Sequence, residues 1–130
     1  MILVDTNVLL SATFEIEDQE AALALLGGEP LVTAPSLWRY EFVSVVTRQA
    51  RLGHVTFREA TAGYRLAEGF VTRTLAGEDL PEVVDLSRRY TCSGRDAVFL
   101  YWAAALQTPL VTRDRRLARA APHLTRLLTG

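Results

Sequence analysis

Four acidic residues of this sequence lie beside or within apolar segments and are candidates for metal-dependent chemistry: Asp5, Glu41, Asp96 and Asp114. If they converge in the fold, their carboxylates would repel one another by about 4 kcal/mol per close pair at an effective dielectric constant of roughly 20. A divalent cation would remove that cost. Because carboxylate oxygens are hard ligands, the expected ion is Mg²⁺ or Mn²⁺ rather than zinc.

Each of these acids also has a purely local explanation. Asp5 and Asp114 each follow a short apolar run and could simply cap the helix that begins next. Asp96 completes the capping-box pattern Ser93-x-x-Asp96, which could account for it fully. Glu41 could pair with an arginine, or could reach water from the edge of its helix. The metal hypothesis therefore depends on the acids meeting at one place.

Glu41 has the least ordinary surroundings of the four. In the helix predicted around it, the apolar stripe comprises Trp38, Phe42, Val45 and Val46. Helical spacing places Glu41 on that stripe and not opposite it. Since an ionised glutamate on a buried face is costly unless it is paired, the pattern predicts a partner for this carboxylate.

The composition restricts the possible chemistry. The chain has 130 residues, of which 49% are hydrophobic and 22% charged, so we expect one globular domain over residues 1–130. Cys92 is the only cysteine, and His54 and His123 are the only histidines, so neither a cysteine cage nor a three-histidine zinc site can form. Lysine is absent, which excludes Schiff-base chemistry and a P-loop.

Neither a secretory signal nor a membrane span is predicted. The N-terminus has no basic region before its apolar stretch. The longest apolar run, residues 97–106, is too short to cross a bilayer, which requires about 20 residues. We therefore expect a cytoplasmic protein with no membrane partner.

Positive charge is concentrated at the end of the sequence. All 14 basic residues are arginine, and residues 113–130 carry five of them against a single acid, Asp114. Such a run is often only a solvated helix face. The alternative is an electrostatic footprint for phosphate groups.

Strand-like and helix-like segments alternate along the chain. Strands are predicted at 1–4, 31–33, 70–75, 109–112 and 124–128, and helices at 6–12, 15–26, 35–51, 56–68, 79–90, 97–106 and 114–121. This alternation predicts an α/β fold, a three-layer α/β/α sandwich around a central, mostly parallel sheet of four or five strands. Because strand ends and the starts of crossover helices share one rim, Asp5, Asp96 and Asp114 are expected on that rim.

Four short motifs together resemble the acidic motifs of PIN-domain nucleases. They are Val4-Asp5-Thr6-Asn7, Glu41 on its helix, Arg95-Asp96-Ala97, and the run from Leu110 to Leu117 that contains Asp114. In length and motif order the chain is similar to the small VapC-type toxins of bacterial and archaeal toxin–antitoxin pairs. It departs from the family pattern at Arg95, where many members carry an aromatic residue, and in having arginines where relatives often have lysine after the fourth acid.

The resemblance implies a metal-dependent endoribonuclease that uses one or two Mg²⁺ or Mn²⁺ ions. The catalytic and metal-binding residues would be Asp5, Glu41 and Asp96, with Asp114 as a fourth ligand, directly or through water. Hydrogen bonds that orient these carboxylates would come from Thr6, Asn7 and Thr112. Contacts to the RNA backbone would come from Arg113, Arg115, Arg116 and Arg119.

The resemblance also implies a homodimer and a small antitoxin protein as partner. An antitoxin arginine entering the acidic site would be a physically sensible inhibitor. The apolar candidates for partner contacts are Phe14, Phe57, Tyr64 and Leu66, each of which could equally belong to the core.

Other functions fit parts of the sequence. His54 and His123 could be the base and acid of a metal-independent ribonuclease, although each is expected in a surface loop. The chain could also be a catalytically silent, PIN-like interaction module whose acids only cap helices. A haloacid-type phosphatase is disfavoured, because Asp5-x-Asn7 lacks the second acid of that motif and lysine is absent.

Overall fold

The computed structural model describes residues 1–14 and 16–129. The strands are β1 Ile2–Val4, β2 Val32–Pro35, β3 Arg73–Leu75, β4 Leu110–Thr112 and β5 Thr125–Leu127. The helices are α1 Thr6–Thr13, α2 Gln19–Gly27, α3 Leu37–Arg51, α4 Phe57–Phe70, α5 Leu80–Tyr90, α6 Gly94–Leu106 and α7 Arg115–Ala120.

The five strands form one sheet in the order β3-β2-β1-β4-β5, and every neighbouring pair is parallel. The central strand β1 lies between β2 and β4, with Leu3 in register with Thr33 and Leu110. All residues of β1, β2 and β4 are buried, as expected where helices cover both faces of a parallel sheet. The predicted α/β fold is confirmed, and the sheet is entirely parallel.

Three helix starts differ from the sequence-based prediction by more than one residue. The helix predicted at 97–106, α6, begins at Gly94. Pro35, predicted to open the third helix, instead ends β2 in register with Leu75, and α3 begins at Leu37. At the end of a strand, the missing N–H of proline is tolerated. The predicted start of the second helix at Glu15 lies outside the described residues, and α2 begins at Gln19.

The buried face of α3 also differs from the predicted stripe. It consists of Trp38, Phe42, Val46 and Ala50, whereas Val45 is 41% exposed. The buried positions follow a strict spacing of four residues, so the helix contacts the core along a narrower line than predicted. This face packs beside α4, where Trp38 stacks on the Tyr64 ring with centroids 5.5 Å apart.

Among the predicted apolar partner contacts, two belong to the core and two do not. Phe14 and Tyr64 pack against the core, and the Phe14 ring lies 6.2 Å from that of Phe42. Phe57 and Leu66, in contrast, are 59% and 51% exposed.

Gly63 on α4 gives the first prediction. A Cβ at this position would overlap the end of the Phe14 ring, and that ring is held against Phe42. We expect Gly63→Ala to lower the free energy of unfolding by about 1–3 kcal/mol, as overpacking does. The matched control is Gly69→Ala on the same helix, where a Cβ would contact nothing within 4 Å and should be neutral or stabilising. Equal effects of the two substitutions in denaturant unfolding would contradict this account.

Candidate active site

Asp5 lies at the centre of the carboxyl edge of the sheet. It follows β1 directly, and its N–H donates to the Val111 carbonyl on β4 at 2.9 Å. Its Oδ1 accepts from the Thr6 N–H at 2.8 Å, so it caps α1. The strand order reverses between β1 and β4, and ligands of open parallel sheets bind above such a switch point. Asp5 therefore occupies a ligand-binding position while also serving as a helix cap.

The Thr112 hydroxyl joins Asp5 to the end of β4. It donates to Asp5 Oδ2 at 2.8 Å, and it accepts from the Asp114 N–H at 3.0 Å and from the Asn7 amide at 3.2 Å. Asn7 Oδ1 in turn accepts from the Arg113 N–H at 3.0 Å. These bonds fix the orientation of the Asp5 carboxylate from the side of β4.

Glu41 is held by a hydroxyl rather than by an arginine. It is half-buried beside the core face of α3, and its Oε1 accepts from the Thr6 hydroxyl at 2.7 Å. No ion pair within residues 1–14 and 16–129 involves Glu41. Because Thr6 also donates its N–H to Asp5, one residue positions both carboxylates.

Asp96 and Asp114 lie together in a neighbouring cleft, at the starts of α6 and α7. Asp114 caps α7, its Oδ1 accepting from the Leu117 N–H at 3.0 Å. The Asp96 N–H donates to Ser93 Oγ at 3.0 Å. Among the described contacts, the return bond from the Ser93 N–H to the Asp96 carboxylate is not formed, although both bonds of the capping box on α4 are. Capping therefore does not account for this carboxylate.

Burial and mutual repulsion raise the pKa values of three of the four acids. Burial raises the pKa of Asp5 from 3.8 to about 7; the hydrogen bond from Thr112 opposes this rise, and the charges of Glu41 and Asp96 add to it. Burial also raises the pKa of Glu41 and of Asp96, helped by the charge of Asp96 and of Asp114 respectively. Each acid is thus within electrostatic reach of another, so the four form one electrostatic cluster.

The donor chemistry of this cluster fits a hard divalent cation. The candidate ligand atoms are carboxylate and hydroxyl oxygens, and a cation would relieve the repulsion that remains between the acids. Within the described residues, no three His, Cys, Asp or Glu side chains share a single point at which they could hold an ion together.

Arg95 is a site residue that sequence reasoning did not assign. Burial raises the pKa values of Glu41 and Asp96, and the positive charge of Arg95 opposes that rise at both. It is exposed on the first turn of α6. The position of Arg95 next to Asp96 in the sequence could have indicated this role. In the sequence analysis, Arg95 is noted only as a departure from the family pattern.

The predicted RNA-binding arginines lie in two different environments. Arg113 is 21% exposed, and its guanidinium pairs with Asp18 at 3.0 Å and with Glu17 at 3.7 Å. The other arginines are exposed, on α7 next to Asp114: Arg115, Arg116 and Arg119.

The two histidines lie at the amino ends of the strands, away from the acids at the carboxyl ends. His54 follows α3 and pairs through Nδ1 with Gln49 Oε1 at 2.6 Å, and His123 precedes β5. Both are exposed. Because α3 starts at the carboxyl edge and runs back, His54 lies at the amino edge, where β5 also begins.

Comparison with known proteins gives a consistent assignment. Among solved structures, the crystal structure of PAE2754 from Pyrobaculum aerophilum is similar, with a TM-score of 0.78 at 21% identity, covering 98% of this chain and 90% of the other. A toxin-antitoxin complex from Klebsiella pneumoniae contains a chain similar with a TM-score of 0.68 at 20% identity, and the match covers 97% of each. At these identities the likeness shows the fold. No curated protein sequence shows significant similarity to this chain. The sequence itself matches the PIN domain over residues 2–122, so the chain belongs to the PIN domain family.

Proposed function

We propose that this protein is a metal-dependent endoribonuclease and the toxin of a toxin–antitoxin pair. PIN domains are generally nucleases, and the fold is that of this family. The observation that carries the proposal is the acid cluster around the switch point: Thr6 bonds to both Asp5 and Glu41, and burial raises the pKa of Asp5 to about 7, with the charges of Glu41 and Asp96 adding to the rise. The metal requirement and the choice of RNA belong to the proposal.

Asp5, Glu41 and Asp96 would hold one or two Mg²⁺ or Mn²⁺ ions, with Asp114 contributing directly or through water, and the ion would draw together carboxylates that do not converge on one point without it. When bound, the ion would supply a water of lowered pKa for attack on the phosphodiester and would neutralise charge on the phosphoryl oxygens. Hydrogen bonds from hydroxyls favour the charged form of a carboxylate.

The hydroxyls of the site accordingly support its charge. Thr112 donates to Asp5, and the Thr6 hydroxyl donates to Glu41, so both bonds favour the charged form of the acid and oppose the effect of burial on its pKa. Asn7 supports the same arrangement through its bonds to Thr112 and to the Arg113 N–H.

The RNA backbone would be bound by the exposed arginines of α7, Arg115, Arg116 and Arg119. Arg113 is engaged by Asp18 and Glu17, so its role is to fix the end of β4 against the segment before α2. Binding through arginines predicts affinity that falls steeply with salt.

The metal requirement is tested by cleavage of single-stranded RNA by the purified protein. We expect cleavage with Mg²⁺ or Mn²⁺, none in EDTA, and recovery when excess metal is restored. Asp96→Asn should lose at least about 10-fold in activity, because this acid is assigned to the ion. Full activity in EDTA would refute the metal role, and no cleavage or metal binding under any condition would favour a silent interaction module.

Thr112 allows a sharper test of how the site is positioned. Thr112→Val keeps the shape but removes the bonds to Asp5 and to the Asp114 N–H, so we expect a loss of about 10- to 100-fold in activity. Thr112→Ser should retain most of it. The matched control is Thr33→Val, an equally buried strand threonine whose hydroxyl donates to the Ile2 carbonyl away from the acids. Equal losses in both valine variants would indicate a general effect of instability.

The toxin role and the partner are supported by likeness to a chain from a toxin-antitoxin complex. Expression of the intact protein should arrest growth, and expression of a variant without Asp5 should not.

We further propose that the protein is a homodimer and acts in the cytoplasm. No helix of residues 1–14 and 16–129 has both the length and the apolar character of a membrane span.

A further inference from the structure

A cleft of about 500 Å³ opens beside the acid cluster, between the end of α5 and α7. Its volume falls within the roughly 300–1,000 Å³ of small-molecule sites. Asp96 and Asp114 line it, whereas Asp5 and Glu41 do not, so it extends the site to one side. We call it the Arg88–Arg116 cleft, after the two arginines that line it.

The two arginines come from different helices, Arg88 from α5 and Arg116 from α7. Arg88 pairs with Asp85 on its own helix, but its side chain is 75% exposed, and a pair this exposed contributes little and can be exchanged for a phosphate. Burial raises the pKa of Asp96 and the charge of Arg116 opposes that rise, so Arg116 lies within electrostatic reach of the acids.

Thr91, which lines the cleft, has an unfavourable backbone conformation. It ends α5 in the left-handed region, with φ 50° and ψ 53°, and it is exposed. A β-branched residue at such a position is an outlier, where glycine or asparagine would be more stable. Residues kept in strained conformations cluster at functional sites, and here the strained residue lines a cleft that also carries arginines.

We infer that the Arg88–Arg116 cleft binds the nucleotide next to the scissile phosphate, with phosphates on Arg88 and Arg116 and the ribose on Thr91. The inference rests on the proposed ribonuclease function and deepens it by naming a subsite. Leu117 and Ala120 also line the cleft, and the exposed Ala120 offers an apolar contact for the base. A hydroxyl contact to the ribose 2′-OH is the kind of contact that distinguishes RNA from DNA.

The charge contribution is tested by fluorescence anisotropy with a short labelled single-stranded RNA, in Ca²⁺ so that binding is measured without relying on cleavage. Arg88→Ala should weaken binding about 3- to 10-fold and reduce the salt slope by about 0.7, as for the loss of one phosphate contact. The matched control is Arg89→Ala, which removes a neighbouring arginine that also pairs with Asp85 but does not line the cleft. Its affinity and salt slope should match those of the wild type.

The ribose contact is tested with Thr91→Gly. It should raise Tm by relieving the strained conformation, and it should reduce affinity for RNA while leaving affinity for DNA of the same sequence unchanged. The control is Gln107→Gly, which relieves a similar left-handed residue, φ 51°, at the end of α6. It should raise Tm with no effect on binding.

A steric variant separates shape from charge. Ala120→Trp, at a residue that lines the cleft, should weaken RNA binding without changing the salt slope.

Parallel cleavage assays in Mn²⁺ distinguish the subsite from the ribonuclease proposal. A raised KM with nearly unchanged kcat in Arg88→Ala supports the subsite. If RNA is cleaved but Arg88→Ala behaves like Arg89→Ala, the subsite is wrong and the ribonuclease stands. If RNA binds with dependence on Arg88 but is never cleaved, the cleft is an RNA-binding site, whereas the nuclease proposal and the placement of the cleft beside a scissile phosphate both fail. No RNA binding at all overturns both.

Discussion

Asp5→Asn is expected to reduce metal-dependent RNA cleavage to background, a loss of about 10³-fold or more. Asp5 is the acid at the switch point of the sheet, and its carboxylate is fixed by bonds from the Thr6 N–H and the Thr112 hydroxyl. Loss of a primary metal ligand should exceed the 10- to 100-fold typical of the residues that orient it. The measurement is initial rate on single-stranded RNA in saturating Mn²⁺.

The fold should survive this substitution, because an asparagine oxygen can still cap α1 at the Thr6 N–H. An unchanged circular dichroism spectrum is therefore part of the expected result. Asp79→Asn is the control for loss of a carboxylate at a helix start: Asp79 precedes α5, is exposed, and makes no side-chain cap bond. Cleavage by Asp5→Asn within a few-fold of the control would overturn the assignment of Asp5.

The metal-free protein should become less stable as the pH rises from about 4 to about 7. The pKa of Asp5 is 3.8 before the effects of the fold and about 7 within it, so the folded state holds more protons than the unfolded state in that range. Stability then falls with rising pH and levels off above both values. The shift corresponds to at most about 4 kcal/mol, and the raised pKa values of Glu41 and Asp96 act in the same direction.

Asp5→Asn should therefore stabilise the metal-free protein, by an amount that grows from near zero at about pH 4 to several kcal/mol at about pH 8. Urea unfolding of the wild type, Asp5→Asn and the control Asp79→Asn across this range would measure it. Mg²⁺ or Mn²⁺ at about 100 times its Kd should restore about 2.7 kcal/mol to the wild type and to Asp79→Asn, but not to Asp5→Asn. A difference between wild type and Asp5→Asn that is independent of pH would contradict the burial of a repelled carboxylate.

The fold was largely predictable because apolar runs and capping patterns are visible in short stretches of the sequence. The apolar run of β1 and the capping pattern at Thr56 and Glu59 appear directly in the sequence, and parallel strands then place Asp5 and Asp114 at one edge. The wrong prediction for Pro35 came from relying on a local preference. Proline is common at helix starts, but here Pro35 pairs with Leu75 of β3 and ends β2.

The fine structure of the site could not be predicted, since it depends on contacts between distant segments. Glu41 was expected to need a partner, but the sequence offers no way to choose the Thr6 hydroxyl, 35 residues away, over an arginine. The pairing of Arg113 with Asp18 spans 95 residues and changes the interpretation of one arginine within a basic run. The partners of Glu41 and Arg113 depend on side-chain rotamers and on distances between remote segments, which residue types alone do not give.

The Thr112 hydroxyl has a consequence for how the site can change its charge. A hydroxyl has one proton and two lone pairs, and here the proton points to Asp5 while the Asp114 N–H and the Asn7 amide approach the oxygen as donors. The direction of this O–H bond is therefore set by its neighbours, and it is suited to an ionised Asp5. The hydroxyl is thus held with its proton towards Asp5 by the two donors on its other side, and this orientation favours the ionised form of the carboxylate. Through one side chain, the end of β4 is therefore linked to the charge of Asp5.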